Sequence, residues 1–166
     1  MLLFQSYKMN HPTKESNTPR IKIVQKLYGS MMNPENEIKF SKNQYKKFIK
    51  DVTEGTLERK DLIEETIVKH LDKDINLEKT DKLLKIILFS AVFELIFKHN
   101  TPKNVVISEY VKASEFFLEK SQISYLNAIL DKLSKLIRKD WFKDIFSFIN
   151  DKFNLPFLNF FGIYPF

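Results

Sequence analysis

KLLKIILFSAVFELIFK, residues 82–98, decides the fold. From Leu83 to Phe97 the run is apolar around most of a helix's circumference, the pattern of a helix surrounded by other helices. Burying one of its large side chains contributes roughly 1.5–3 kcal/mol before conformational entropy is subtracted. The segment is therefore expected to organise a core. Lys85, Ser90 and Glu94 interrupt it, whereas a bilayer span needs about 20 predominantly apolar residues. It reads as a buried helix of a soluble bundle, with no membrane partner.

On its C-terminal side, Asn100-Thr101-Pro102 ends this helix and opens another, with Thr101 as the cap and Pro102 at the first helical position. That next helix points Ile107, Tyr110, Val111 and Phe117 inward. Ser121 is a second cap candidate, ahead of the stripe Leu126, Ile129, Leu130, Leu133, Leu136 and Ile137. Phe142, Ile145, Phe146, Ile149 and Phe153 suit one more amphipathic helix. Leu155 to Phe166 is an aromatic run broken by Pro, Asn and Gly, expected to pack on the core or on a partner.

On its N-terminal side, a single helical pattern runs from Asn43 to Leu71, with Tyr45, Phe48, Ile49, Val52, Thr56, Ile63 and Ile67 on one stripe. Gly55 in its middle marks a close crossing or a bend. The polar stretch 72–79 is a connection. An earlier short helix carries Ile21, Val24, Tyr28, Met31 and Met32 on one face and Lys22 and Lys26 on the other, and ends at Asn33-Pro34. Strand signals are absent. The chain reads as one all-α domain over 20–139, a flexible arm at 1–19 and an aromatic extension at 140–166.

Sites of catalysis are not expected. No cysteine is present, which excludes disulfides and thiolate metal sites and fits a reducing, cytoplasmic setting. The start MLLFQSYKMNHPTK lacks the basic region and small-residue cleavage site of a signal peptide. His11, His70 and His99 have no helical partner for a metal, and Gly29, Gly55 and Gly162 are too scattered to cradle a phosphate. Asp61, Glu64 and Glu65 read as a solvated face. Glu94 needs a hydrogen-bonding or cationic partner if buried, as a structural anchor or a catalytic acid. The anchor is preferred, because no second catalytic group accompanies it.

Charge placement says more than the net charge of +6. Ten basic residues face three acidic ones in residues 1–50, against seventeen and eighteen in the remainder. Lys14, Arg20, Lys22 and Lys26 are suited to neutralising phosphates. Tyr28 and Tyr125 offer rings for unstacked bases, although Tyr28 also fits the core. Physical reading alone ends at a helical binding module that is basic at its N-terminal end.

Four motifs carry a resemblance. RIKIVQKLY supplies Arg20, Gln25, Leu27 and Tyr28; FELIF follows; TPKNVVISEYV supplies Pro102, Val105, Ile107 and Glu109; YLNAILDKL supplies Tyr125, Asn127, Leu130, Asp131 and Lys132. In order and spacing, over roughly residues 20–138, they resemble the NusB family of bacterial transcription antitermination factors. That resemblance implies a NusB-like bundle of two packed helical sub-bundles, no enzymatic activity and no cofactor. It also implies pairing with the ribosomal protein NusE on boxA-type single-stranded RNA of rRNA transcripts, within the RNA polymerase antitermination complex, and it admits a homodimer. By carry-over, Arg20 and Tyr28 lie in the RNA-facing region, Tyr125 is an aromatic near the RNA, and Ser121 and Ser124 flank it.

The chain departs from the family pattern in its arm, where ESNTPR retains only Arg20, and at Phe89, Leu84 and Ala128, which replace an arginine, an acid and a glycine. Fewer phosphate contacts imply weaker, less salt-dependent RNA binding. A second reading is accordingly a NusB-fold protein-interaction module with weak or lost RNA binding. A third, the helical domain of an rRNA methyltransferase, finds no residues here to bind a methyl donor.

Overall fold

A computed structural model of the chain describes residues 18–71 and 76–153, with side chains as far as residue 139. Among these residues there are six helices and no strand: α1 Pro19–Met32, α2 Lys46–Glu58, α3 Lys60–Leu71, α4 Lys82–Phe97, α5 Lys103–Ser114 and α6 Lys120–Phe153. Helix α4 touches all five others. Eleven of its sixteen residues are buried, so its apolar circumference does what the sequence leads one to expect. Asp81 caps it by accepting from the backbone N–H of Leu83 and Leu84, at 2.9 and 3.1 Å. The buried Ser90 hydroxyl donates within its own helix, to the carbonyls of Ile86 and Ile87. On one side of α4 lie α1, α2 and α5, with α1 touching both of the other two. Helix α6 packs along α4 against α5 and α3.

The structure corrects the sequence reading in several places. The pattern over 43–71 is two helices, broken at Arg59, whose φ of −110° and ψ of 24° leave the helical basin. The stripe Ile49, Val52, Thr56, Ile63 and Ile67 is buried across this break, whereas Tyr45, before the first helix, is exposed. Met31 and Met32 are likewise exposed, because the inward face of α1 ends at Leu27. Helix α5 begins at Lys103 and not at Pro102. Pro102 precedes it and accepts from the N–H groups of Val105 and Val106 through its carbonyl. Ser121 lies inside the first turn of α6, where the side chain of Gln122 accepts from the N–H of Glu119. The amphipathic pattern after residue 140 is no separate helix, since α6 runs unbroken to Phe153. The arm before Thr18 and the aromatic run after Phe153 lie outside the described residues.

Arg138 ties α6 to the turn between α4 and α5. It donates to the carbonyls of Thr101 and His99, at 3.0 and 3.3 Å, and lies 2.9 Å from His99 Nδ1. A guanidinium can only donate, so Nδ1 must accept and the ring is neutral. Burial and the adjacent Arg138 charge hold the His99 pKa below its ordinary value for the same reason.

Two glycines distinguish crossing from slack. A Cβ added at Gly55 would overlap the ring of Phe93, so α2 crosses α4 where only hydrogen fits. At Gly29 the same atom would meet nothing within 4 Å. We predict opposite signs in urea denaturation. Gly29→Ala should stabilise by roughly 0.5–1 kcal/mol through helix propensity, and Gly55→Ala should destabilise by about 1–3 kcal/mol through overpacking. Equal effects would remove the close α2–α4 crossing.

Candidate nucleic-acid interface

Thr18 opens α1 by accepting from the Ile21 N–H, and Pro19 occupies the first turn without losing a hydrogen bond. This start places Arg20 at the positive end of a helix dipole, where a cation is disfavoured unless carboxylates answer it. Two do. Arg20 Nη2 lies 3.0 Å from Glu94 Oε2 on α4, and Nη1 lies 3.3 Å from Glu109 Oε2 on α5. The guanidinium also sits 5.3 Å from the centroid of Phe48 on α2 and 5.6 Å from that of Tyr110 on α5. One side chain thereby joins four helices.

Glu94 is fully buried, and burial raises its pKa above the ordinary carboxylate range although the Arg20 charge opposes the shift. The Tyr110 hydroxyl, also fully buried, lies against Glu94 with Ser90 nearby, and burial next to that carboxyl pushes its pKa well up. The Tyr110 hydroxyl and Glu94 Oε1 are both buried in this cluster, a donor beside an acceptor. Arg20 is only 8% exposed. It is thus corrected from phosphate contact to internal counter-ion, because its donors already face Glu94 and Glu109. Glu94 is the anchor that the sequence suggested, and Arg20 is its partner.

The lysines expected to contact phosphate remain at the surface. Lys22 and Lys26, one turn apart on α1, line a groove of about 370 Å³ with Gln25, Phe40, Ser41, Asn43, Lys46 and Ile49. The Lys26 ammonium donates to the Lys39 carbonyl and lies 4.9 Å from the Phe40 ring centroid. Three ammonium groups and no carboxylate face this space. Among the described residues, neither Lys22 nor Lys46 forms an ion pair. Sequence reasoning missed Lys46, Gln25 and Asn43. The usable signal was the basic excess of residues 1–50, which continues through Lys39, Lys42, Lys46 and Lys47.

The remaining expected residues lie elsewhere. Tyr28 is half-buried and packs against the core. Tyr125 is 39% exposed on α6, with Ser121 and Ser124 exposed in the turn before it; the Ser124 hydroxyl donates to the Lys120 carbonyl. Helices α1 and α6 do not touch, and α5 contacts both. The structure therefore does not bring Tyr125 to the lysine groove. Lys14 lies outside the described residues. Among the described residues, no three His, Asp or Glu side chains converge as a metal site, and no helix is long and apolar enough to cross a membrane.

These placements predict unequal effects in chemical denaturation. Arg20→Ala should cost about 3–5 kcal/mol, because it leaves Glu94 buried without its counter-ion. Lys22→Ala and Lys26→Ala should stay within about 0.5 kcal/mol of the parent chain. A small loss at Arg20, equal to that at the lysines, would return its guanidinium to solvent.

Comparison with known proteins agrees with this architecture. The sequence profile of the NusB family matches residues 9–135. Transcription antitermination protein NusB of Sphingopyxis alaskensis is 33% identical over 92 residues, covering 55% of this chain and 62% of that protein. The NusB of Rhodopseudomonas palustris strain HaA2 is 30% identical over 95 residues, 57% of this chain and 56% of its own length. The match thus spans somewhat more than half of these relatives. The solved structure of T. maritima NusB superposes with a TM-score of 0.63 at 19% identity, covering 75% of this chain and 93% of that one, a likeness of fold. With the family profile matched over residues 9–135 of this chain and an all-α architecture in common with the solved NusB, the chain belongs to the NusB family.

Proposed function

We propose that this chain is a transcription antitermination factor of the cytoplasm that pairs with NusE and binds boxA-type single-stranded RNA of rRNA transcripts, as part of the RNA polymerase antitermination complex. It works by assembly. The observation that carries the RNA half of this reading is the groove beside α1, which gathers Lys22, Lys26 and Lys46 without a carboxylate. Desolvated only in part, such ammonium groups exchange counter-ions for phosphates at little cost, and the released ions favour binding. Lys14 in the arm would extend the same phosphate track. Tyr28, and Tyr125 with Ser121 and Ser124, would serve bases or sugars where RNA leaves the groove. Arg20 contributes from inside, by fixing the first turn of α1.

A rival reading, a NusB-fold interaction module that has lost RNA binding, draws on the burial of Arg20, which withdraws the last arginine of the arm from solvent. One experiment separates the two. Full-length chain, NusE and an equimolar mixture are titrated onto fluorescein-labelled boxA RNA and onto a scrambled RNA of equal length. The proposal predicts that the mixture binds boxA more tightly than either protein alone and more tightly than the scrambled RNA. Complex formation with NusE but equal affinity for both RNAs would favour the interaction module.

A further inference from the structure

We propose that the groove between the C-terminal half of α2 and the end of α4 is a docking site for a protein partner, which inserts an arginine side chain between a carboxylate wall and an aromatic wall. The inference is independent of the RNA-binding reading, because the lysine groove uses the opposite end of α2.

Asp51, Glu54 and Glu58 stand at positions i, i+3 and i+7 of α2 and so share one face of that helix. Phe93 and Phe97, one turn apart on α4, form the other wall, with ring centroids 4.9 Å from each other. Gly55, which has no side chain, lines the groove beside Phe93, and Phe97 stays 37% exposed. The space measures about 320 Å³ and opens to solvent. Along α2 it extends about 10 Å, the reach of about three residues of extended chain.

A cation stands at each end of the carboxylate wall. Lys98 Nζ lies 3.2 Å from Asp51 Oδ2, and Arg59 Nη1 lies 3.1 Å from Glu58 Oε2. Glu54, between them, meets only the ammonium of Lys50 on its own helix, at 3.8 Å and half exposed. Such a surface pair contributes little. Three carboxylates against two cations leave this groove negative, so it repels phosphate and attracts a further cation.

The chain itself shows which cation suits the two walls. The Arg59 guanidinium, paired with Glu58, also lies 5.1 Å from the centroid of the Phe97 ring. Both members of that ion pair are well exposed to water, so the placement is weakly held and yields to a competitor. A guest arginine takes the Phe97 ring and turns its planar fork to Glu54, stacking and pairing at once. A lysine ammonium, compact and strongly hydrated, does the second without the first. An open groove leaves a free small cation largely hydrated. An arginine carried on an extended segment is held there by its neighbours as well, which is why the guest is assigned to a polypeptide.

The test follows amide NMR shifts of the full chain titrated into the millimolar range with acetyl-Ala-Arg-Ala-amide, with the same peptide bearing lysine or citrulline, and with agmatine. The arginine peptide should give saturable shifts at Glu54, Gly55 and Lys98, the lysine peptide weaker ones and the uncharged citrulline peptide none. Glu54→Gln and Phe97→Leu should each weaken the arginine peptide by about two- to fivefold. Arg59→Lys keeps the charge but frees the ring, and should strengthen it by about twofold or more. No change with Arg59→Lys, equal binding of the lysine peptide, or shifts spread over Asp61, Glu64 and Glu65 would overturn the site in favour of diffuse charge attraction. Absence of saturable shifts with the arginine peptide would overturn it outright. Agmatine binding as tightly as the arginine peptide would overturn the protein partner in favour of a small cation.

Discussion

The guanidinium of Arg20 must be neutralised where it lies, and the arrangement of four helices follows from how that is done. It projects from the first turn of α1, where the helix dipole adds to its charge, and reaches a carboxylate buried away from solvent. Glu94 could not be buried alone, because desolvating a carboxylate without a partner costs more than a domain of this size can spare. Each charge is tolerable only in the presence of the other. Glu109 at the edge and the rings of Phe48 and Tyr110 complete the enclosure, so α1, α2, α4 and α5 meet at one point. Removing one partner of a buried ion pair of this kind is costly, whereas replacing both by apolar side chains of similar volume is often close to neutral.

That constraint connects the core to the proposed function. With Arg20 facing inward, Ile23, Val24 and Leu27 follow it into the core, and Lys22, Gln25 and Lys26 are carried to the groove on another face of the same helix. The close crossing at Gly55 seats α2 on α4, and through α2 it sets where Lys46 stands. The basic groove is thus positioned by apolar and ionic contacts that need never touch a nucleic acid.

Much of this was legible in the sequence. Leu83 to Phe97 announced a surrounded helix because apolar residues on every face leave no side for water, and Glu94 announced a partner because a carboxylate there had no other means of being buried. The identity of the partner was not legible. Arg20 and Glu94 are 74 residues apart, and helical periodicity describes only neighbours within one helix. The same limit misassigned Arg20, whose position in a basic N-terminal segment looked like a surface charge. The break at Arg59 was hidden for a different reason: the stripe from Ile49 to Ile67 keeps its phase across the break, and the local pattern contains no proline or capping signal there. The groove needed a turn, held by Asn43, that brings Lys46 to Lys22, and only tertiary structure supplies that proximity.

The most direct test of Arg20 as the internal counter-ion is a thermodynamic cycle on Arg20→Met and Glu94→Leu, read by urea denaturation with secondary structure and tryptophan fluorescence followed together. The account predicts strong coupling: the double replacement should be more stable than the two single losses sum to by at least about 2 kcal/mol, and close to the parent chain, because an apolar pair can replace a buried ion pair. Losses that add to within about 0.5 kcal/mol would show that the two side chains do not depend on each other, and would contradict it.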